Sequence, residues 1–120
     1  VEYPYFLGHA DERGEGEGEG FNLNLPLPHG TGFAAWAAAL DAGLAAIADF
    51  APETLVVSLG VDTYRGDPIS QFRLDTPDYP AIGAAIARLG APTLFVMEGG
   101  YAVEAIGRNA VGVLTGFDAA

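Results

Sequence analysis

An acid and a phenol are the side chains in this sequence best placed to do chemistry. Asp62 lies in Leu59-Gly60-Val61-Asp62-Thr63, which runs on to Gly66-Asp67-Pro68-Ile69-Ser70, and Tyr101 closes Met97-Glu98-Gly99-Gly100-Tyr101. An ionised carboxylate just beyond a buried strand is costly to hold without a cation, backbone N–H groups or a basic partner. Asp62 therefore reads either as a metal ligand or as the ion-pair partner of Arg65, the nearest base in sequence. A phenol held at a strand end can donate a hydrogen bond to a developing oxyanion, and glycines before it let the backbone pass close to a ligand. Asp67 reads as structural, its carboxylate capping local N–H groups while Pro68 fixes the turn. Glu98 suits a contact with the loop backbone, with substrate contact as the alternative.

Other chemistries find few residues to work with. The absence of cysteine removes disulfides, thiolate ligands and a cysteine nucleophile, so any metal must use Asp, Glu, His or backbone oxygen, and it suits a cytoplasmic protein. Ser58 and Ser70 lack a nucleophile-elbow pattern, and no glycine-rich phosphate loop follows a strand. His9 and His29 sit in loops beside Gly or Pro, not paired for zinc. Sixteen Asp and Glu against five Lys and Arg give a net charge of −11, which repels nucleic acid and favours a cationic small molecule or basic peptide; solubility alone would also account for it. No run approaches the eighteen or so apolar residues of a membrane span, and no basic segment precedes a hydrophobic stretch at the N-terminus, so no membrane association is expected. The chain starts at Val1 rather than Met, a hint of truncation or processing.

The elements that must position the two loops follow from hydrophobic patterning. Thr54 to Leu59 and Thr93 to Met97 are β-branched and apolar without strong alternation, the pattern of strands covered on both faces. Phe33, Trp36, Leu40, Leu44 and Ile47 fall at helical spacing from about Gly32 to Phe50, with Thr31 as N-cap. A second helix starts near Thr76-Pro77 and runs through Ile82, Ile86 and Leu89 to Gly90. Val103, Ile106, Ala110, Val113, Leu114 and Phe117 line a third. Ahead of these, Phe21-Asn22-Leu23-Asn24-Leu25 alternates as a short strand, and Glu15 to Gly20 alternates acid with glycine, the mark of a flexible acidic loop. Strand, helix, strand, helix, strand, helix is the α/β layer pattern, so the two apolar strands should be parallel neighbours and the sheet sandwiched by helices. Asp62 and Tyr101 then emerge at one edge, the carboxyl ends of the strands, where open α/β sheets bind ligands.

Gly60-Val61-Asp62-Thr63 with Gly66-Asp67-Pro68, followed at the next strand by Glu98-Gly99-Gly100-Tyr101, resembles the C-terminal signature of the zinc-dependent histone deacetylase superfamily. Tyr3-Pro4-Tyr5-Phe6-Leu7-Gly8-His9-Ala10, Asp67-Pro68-Ile69-Ser70 and Met97 to Tyr101 resemble the bacterial acetylpolyamine amidohydrolases in particular. The similarity spans nearly the whole chain. It implies an α/β fold of three layers, α/β/α, with a mostly parallel sheet of the arginase and deacetylase type, here an incomplete C-terminal part: residues 1–120 would be one portion of a single deacetylase-type domain.

The resemblance implies a zinc hydrolase that removes acetyl groups from amines, acetylpolyamines first. The alternatives are a protein acetyl-lysine deacetylase and a non-catalytic member that binds acetylated ligands. It makes Asp62 one of three metal ligands and Tyr101 the hydrogen-bond donor to the oxyanion. Phe6 matches an aromatic wall of the acyl tunnel, Ile69 its lip, and Gly99 and Gly100 the backbone flanking the substrate. Phe21 falls where a backbone carbonyl helps hold a structural monovalent cation, potassium. Ferrous iron suits such a metal site as well as zinc does. The partner is a small cationic acetylated amine, drawn by an acidic rim near Asp11, Glu12, Glu15, Glu17 and Glu19; a homo-oligomer is left open. The family's Asp-x-His ligand pair and its two catalytic histidines are missing from this sequence. One aspartate cannot make the three-ligand site of catalytic zinc, so these 120 residues alone are expected to be inactive.

Overall fold

The computed structural model describes residues 7–120. Three helices and two strands follow in the order α1 (Phe33–Phe50), β1 (Leu55–Leu59), α2 (Tyr79–Ala87), β2 (Thr93–Met97) and α3 (Val103–Ala119), with 3-10 turns at Gly16–Gly18 and Thr76–Asp78. Alanine, the strongest helix former, fills much of α1. Gly32 rather than Thr31 is its N-cap; the Thr31 hydroxyl instead donates to the Pro28 carbonyl at 2.6 Å. The helix ends where Ala51 turns left-handed, φ 56°, and Pro52 cannot continue it. α2 enters through a reciprocal cap: the Asp75 carboxylate accepts from Thr76 N–H, and Asp78 accepts from Asp75 N–H at 2.7 Å. Asp75, not Thr76, thus opens this helical segment.

β1 and β2 pair in parallel with Leu55 opposite Thr93 and Leu59 opposite Met97. Leu55, Val57 and Leu59, together with Phe95, face a core shared with Val61, Leu74, Tyr79, Ile82, Ile86 and Val113; Phe33, Trp36, Leu40 and Leu44 of α1 and Phe117 of α3 join it. Phe117 meets Phe95 edge to face, ring centres 5.2 Å apart. The alternate residues Val56 and Leu94 are more than half exposed. Helices therefore cover one face of this sheet among the described residues, while the apolar strand pattern is that of a sheet covered on both.

Two expectations give way. Phe21 to Leu25 forms no strand: Leu23 and Leu25 border a groove against Gly43 and Ile47 of α1, while the Asn22 and Asn24 side chains donate to the carbonyls of Glu12 and His9. The amides that made the segment look alternating are spent on a neighbouring loop. Second, α1, with Asp41 and Asp49 as its only charges, is by length and composition apolar enough to cross a membrane. Its alanines account for this, and Phe33, Trp36, Leu40 and Leu44 are packed against the core.

α2 and α3 lie unusually close, because glycine leaves room for backbone to meet backbone. A Cβ on Gly83 would run into the Val113 carbonyl, and one on Gly116 into the Pro80 carbonyl. This contact seats Tyr79, 1 % exposed, between the helices and the loop that follows β1. On α3, Asn109 is fully buried and neither atom of its amide finds a hydrogen-bond partner among the described residues.

Candidate active site

Strand pairing does not stop at the strand ends. Glu98 N–H donates to the Leu59 carbonyl and Val61 N–H to the Gly99 carbonyl, both at 2.8 Å. The loop bearing Asp62 and the loop bearing Tyr101 are thereby stitched side by side at the carboxyl edge of the sheet. On its other flank the Asp62 loop is held by Leu74, whose N–H donates to the Thr63 carbonyl at 3.1 Å, and whose own carbonyl accepts from Arg65 N–H at 2.8 Å.

The glycines are explained by this close approach. The half-buried Asp62 carboxylate lies against two of them: a Cβ on Gly60 would stand 2.8 Å from Asp62 Oδ1, and one on Gly99 would collide with Asp62 Oδ2. At Gly100 the backbone adopts φ 144°, and the place of a Cβ is taken by Val61 Cγ2 at 2.6 Å. Only glycine combines that dihedral with that proximity. Tyr101 follows at once, half exposed.

Asp67, 8 % exposed, reaches further than its own turn. Its Oδ1 accepts from the N–H groups of Ile69 at 2.8 Å and Ser70 at 3.0 Å, the local cap expected of it. Its Oδ2 accepts from Tyr101 N–H at 2.9 Å, across 34 residues of sequence. Arg65 pairs with Asp75 at 3.2 Å. The Thr63 and Tyr79 hydroxyls meet at 3.0 Å, and Tyr79 O–H also points to the Val61 carbonyl at 3.5 Å. One phenol thus touches the residues on both sides of Asp62. Burial pushes the Tyr79 hydroxyl up to about 12 from its ordinary 10, against the Thr63 hydrogen bond and helped by the charges of Asp62, Asp78 and Asp67.

The structure brings Asp62, Gly99, Gly100 and Tyr101 to one place and ties Ile69, 65 % exposed, to them through Asp67. Phe6 lies outside the described residues. Phe21 is elsewhere: its ring meets Phe50 edge to face at 6.0 Å, in a groove shared with Thr54 and Leu55 at the amino end of β1. Glu98 contributes its backbone N–H to the ladder while its side chain is exposed. The acidic loop is a folded turn rather than a loose one: Gly20 N–H closes it on the Arg13 carbonyl at 2.7 Å, and Glu12 Oε2 is committed to the N–H groups of Gly8 and His9 and the Asn24 amide. Tyr79 and the reach of Asp67 to Tyr101 were missed by sequence reasoning. Tyr79 sits at core spacing with Ile82 and Ile86, and nothing in sequence marks a hydroxyl for use.

No three His, Asp or Glu side chains come together among the described residues. Among the described residues, the carboxylate at this edge that would suit a metal is that of Asp62, which occupies a cradle that a Cβ at Gly99 would fill. That arrangement fits one ligand of a larger set, with the others supplied from outside this span.

Fold and site together define a class: a parallel α/β chain that presents a carboxylate and a phenol from adjacent loops at the carboxyl ends of its strands. The model of the histone deacetylase domain matches residues 1–117, and the chain belongs to that family, whose members are generally zinc-dependent. It is 69 % identical over its whole length to acetylpolyamine amidohydrolase 1 of Pseudomonas aeruginosa, covering 35 % of that protein. It is 51 % identical over 95 % of its length to the acetylpolyamine amidohydrolase of Mycoplana ramosa, covering 33 % of it. The crystal structure of an acetylpolyamine aminohydrolase from Burkholderia pseudomallei matches 98 % of this chain with a TM-score of 0.94 at 46 % identity, and 34 % of that chain is covered. The chain spans about a third of the length of the relatives it matches.

Proposed function

We propose that the complete protein is a metal-dependent amidohydrolase that deacetylates small cationic amines, acetylpolyamines foremost, and that residues 1–120 are the C-terminal part of its single deacetylase-type domain. The observation that carries this reading is the stitching of the Asp62 loop to the Tyr101 loop through Val61 N–H and the Gly99 carbonyl. It brings the loop of the Asp62 carboxylate and the loop of the Tyr101 phenol to the same rim. The names of the relatives supply the acetylpolyamine.

Asp62 would hold zinc, or ferrous iron, together with ligands from outside this span, since catalytic zinc takes three protein ligands. When bound, such a metal polarises the substrate carbonyl and lowers the pKa of water. The Tyr101 hydroxyl donates a hydrogen bond to the carbonyl oxygen as it gains negative charge. Gly99 and Gly100 would flank the acyl group with bare backbone and Ile69 would edge its entrance, while Phe6 keeps the acyl-tunnel role that the family resemblance implies for it. The Phe21 carbonyl, far from Tyr101, would serve a structural potassium ion.

Replacing Tyr101 by Phe in the complete protein is expected to lower kcat on acetylputrescine by about a hundredfold or more, the cost of one oxyanion donor. Retained turnover would overturn the role. A second reading, acetyl-lysine removal from proteins, draws support from the solved histone deacetylase Clr3, which matches 92 % of this chain at 28 % identity with a TM-score of 0.84. Comparing acetyl-lysine peptides with acetylputrescine on the complete protein separates the two.

A further inference from the structure

We infer that Asp67 is a positioning residue for Tyr101, and that its carboxylate fixes the direction in which the phenol projects. The inference rests on the proposed role of Tyr101 and adds a second residue to it. Tyr101 has little else to aim it. Its side chain is half exposed, so packing does not lock the ring. Two glycines precede it, one at φ 144°, and α3 begins only at Val103, with Ala102 at non-helical angles. The Tyr101 N–H therefore belongs to neither the strand ladder nor the helix; it donates to Asp67 Oδ2 at 2.9 Å. Glycine backbone is the most permissive in the chain, and a single buried anchor just after it removes that freedom.

The anchor itself is well held. Asp67 is nearly buried, and its two oxygens take three backbone N–H donors between 2.8 and 3.0 Å, bonds to a charged acceptor and so the stronger kind. The same carboxylate grips Ile69 and Ser70, so the lip of the proposed entrance and the oxyanion donor share one fixed point.

Chemistry offers a clean way to cut half of this. In Asp67→Asn the amide oxygen can keep the two N–H groups of Ile69 and Ser70, but its NH2 then faces the Tyr101 N–H, donor against donor. The turn survives and the tie to Tyr101 is lost. Asp67→Ser is a second variant, since a hydroxyl can cap the same turn more weakly but is too short to serve Tyr101 as well.

The test uses the complete protein: kcat and KM on acetylputrescine for wild type, Asp67→Asn, Asp67→Ser, Tyr101→Phe and Asp67→Asn/Tyr101→Phe, with thermal melting to verify folding. Asp67→Asn is expected to lower kcat by about ten- to a hundredfold with KM changed little, the scale of a small misplacement of a reacting group. In the Tyr101→Phe background the same change should cost less than about twofold, because two residues that act as a unit are not additive. A full additional loss in that background, or an Asp67→Asn enzyme as fast as wild type, overturns the inference. Should Asp67→Asn fail to fold, Asp67→Ser is read by the same criteria. If Tyr101→Phe alone is as active as wild type, the role of Tyr101 has failed, and the positioning role goes with it.

Discussion

The Asp62 carboxylate occupies the space that a side chain at Gly99 would need. Between two loops 37 positions apart in sequence, a carboxylate rests on bare glycine backbone, and the contact leaves no slack for even one methyl group.

Gly99→Ala is therefore expected to push the Asp62 carboxylate or its loop aside. A displacement of about 1 Å at a reacting centre can cost on the order of a hundredfold, so kcat of the complete protein should fall by that scale and bound zinc, measured by elemental analysis, should fall with it. Full zinc content and normal turnover would show that the cradle tolerates a Cβ.

Tyr79 gives a prediction in pH. Its hydroxyl is raised to about 12 in the folded protein against an ordinary 10, so the fold favours the neutral form. That contribution is complete below pH 10 and is lost as pH rises through 12. Thermal melts of the complete protein should show the midpoint falling over this window, and Tyr79→Phe should flatten the fall while lowering stability at neutral pH by about 1 to 2 kcal/mol for the lost hydroxyl contacts. An equally steep alkaline fall in Tyr79→Phe would assign the effect to another group.

The acidic turn leads to a revised expectation for substrate attraction. Gly20 and Arg13, which close it, border a groove with Thr54 and Leu55 at the amino end of β1, whereas Asp62 follows the carboxyl end. Five residues of strand span about 13 Å from first to last Cα, against a Debye length of about 8 Å at physiological salt. Changing Glu15, Glu17 and Glu19 together to Gln should leave the KM ratio of acetylputrescine to a neutral acetanilide within about twofold in 0.15 M salt. A selective rise for acetylputrescine would restore these acids to the substrate path.

Asn109 is buried without a partner for either amide atom among the described residues. An unsatisfied buried polar group costs about 1 to 3 kcal/mol, so Asn109→Leu, similar in size, should melt no lower than wild type. A clear loss of stability would point to an ordered water on the amide.

Much of this arrangement can be read in the sequence because it rests on local signals. Phe33, Trp36, Leu40 and Leu44 at helical spacing, and the apolar runs Leu55 to Leu59 and Thr93 to Met97, specify α1, β1 and β2, and parallel pairing then brings the Asp62 and Tyr101 loops together. What the sequence hides is long-range choice among equivalent partners. Arg65 had three carboxylates within ten residues, Asp62, Asp67 and Asp75, and pairs with the most distant of them in sequence, Asp75. Asp67 caps its own turn as a short acidic side chain before proline should, but its second oxygen finds Tyr101 only once the sheet has formed. Phe21 to Leu25 alternates like a strand but pairs with no strand among the described residues, a fact no local pattern contains.

The ladder that continues from Leu59 to Glu98 and from Val61 to Gly99 makes the fold its own inspector. Side chains on a strand alternate, so pairing the two segments one residue out of step would turn Val61, 1 % exposed, away from the core and set some other residue against the Asp62 carboxylate. Such a chain could not close its interior. A molecule that has buried Val61 has, by the same act, set its Asp62 loop beside its Tyr101 loop, so assembly proofreads the pairing of the two loops before any substrate arrives.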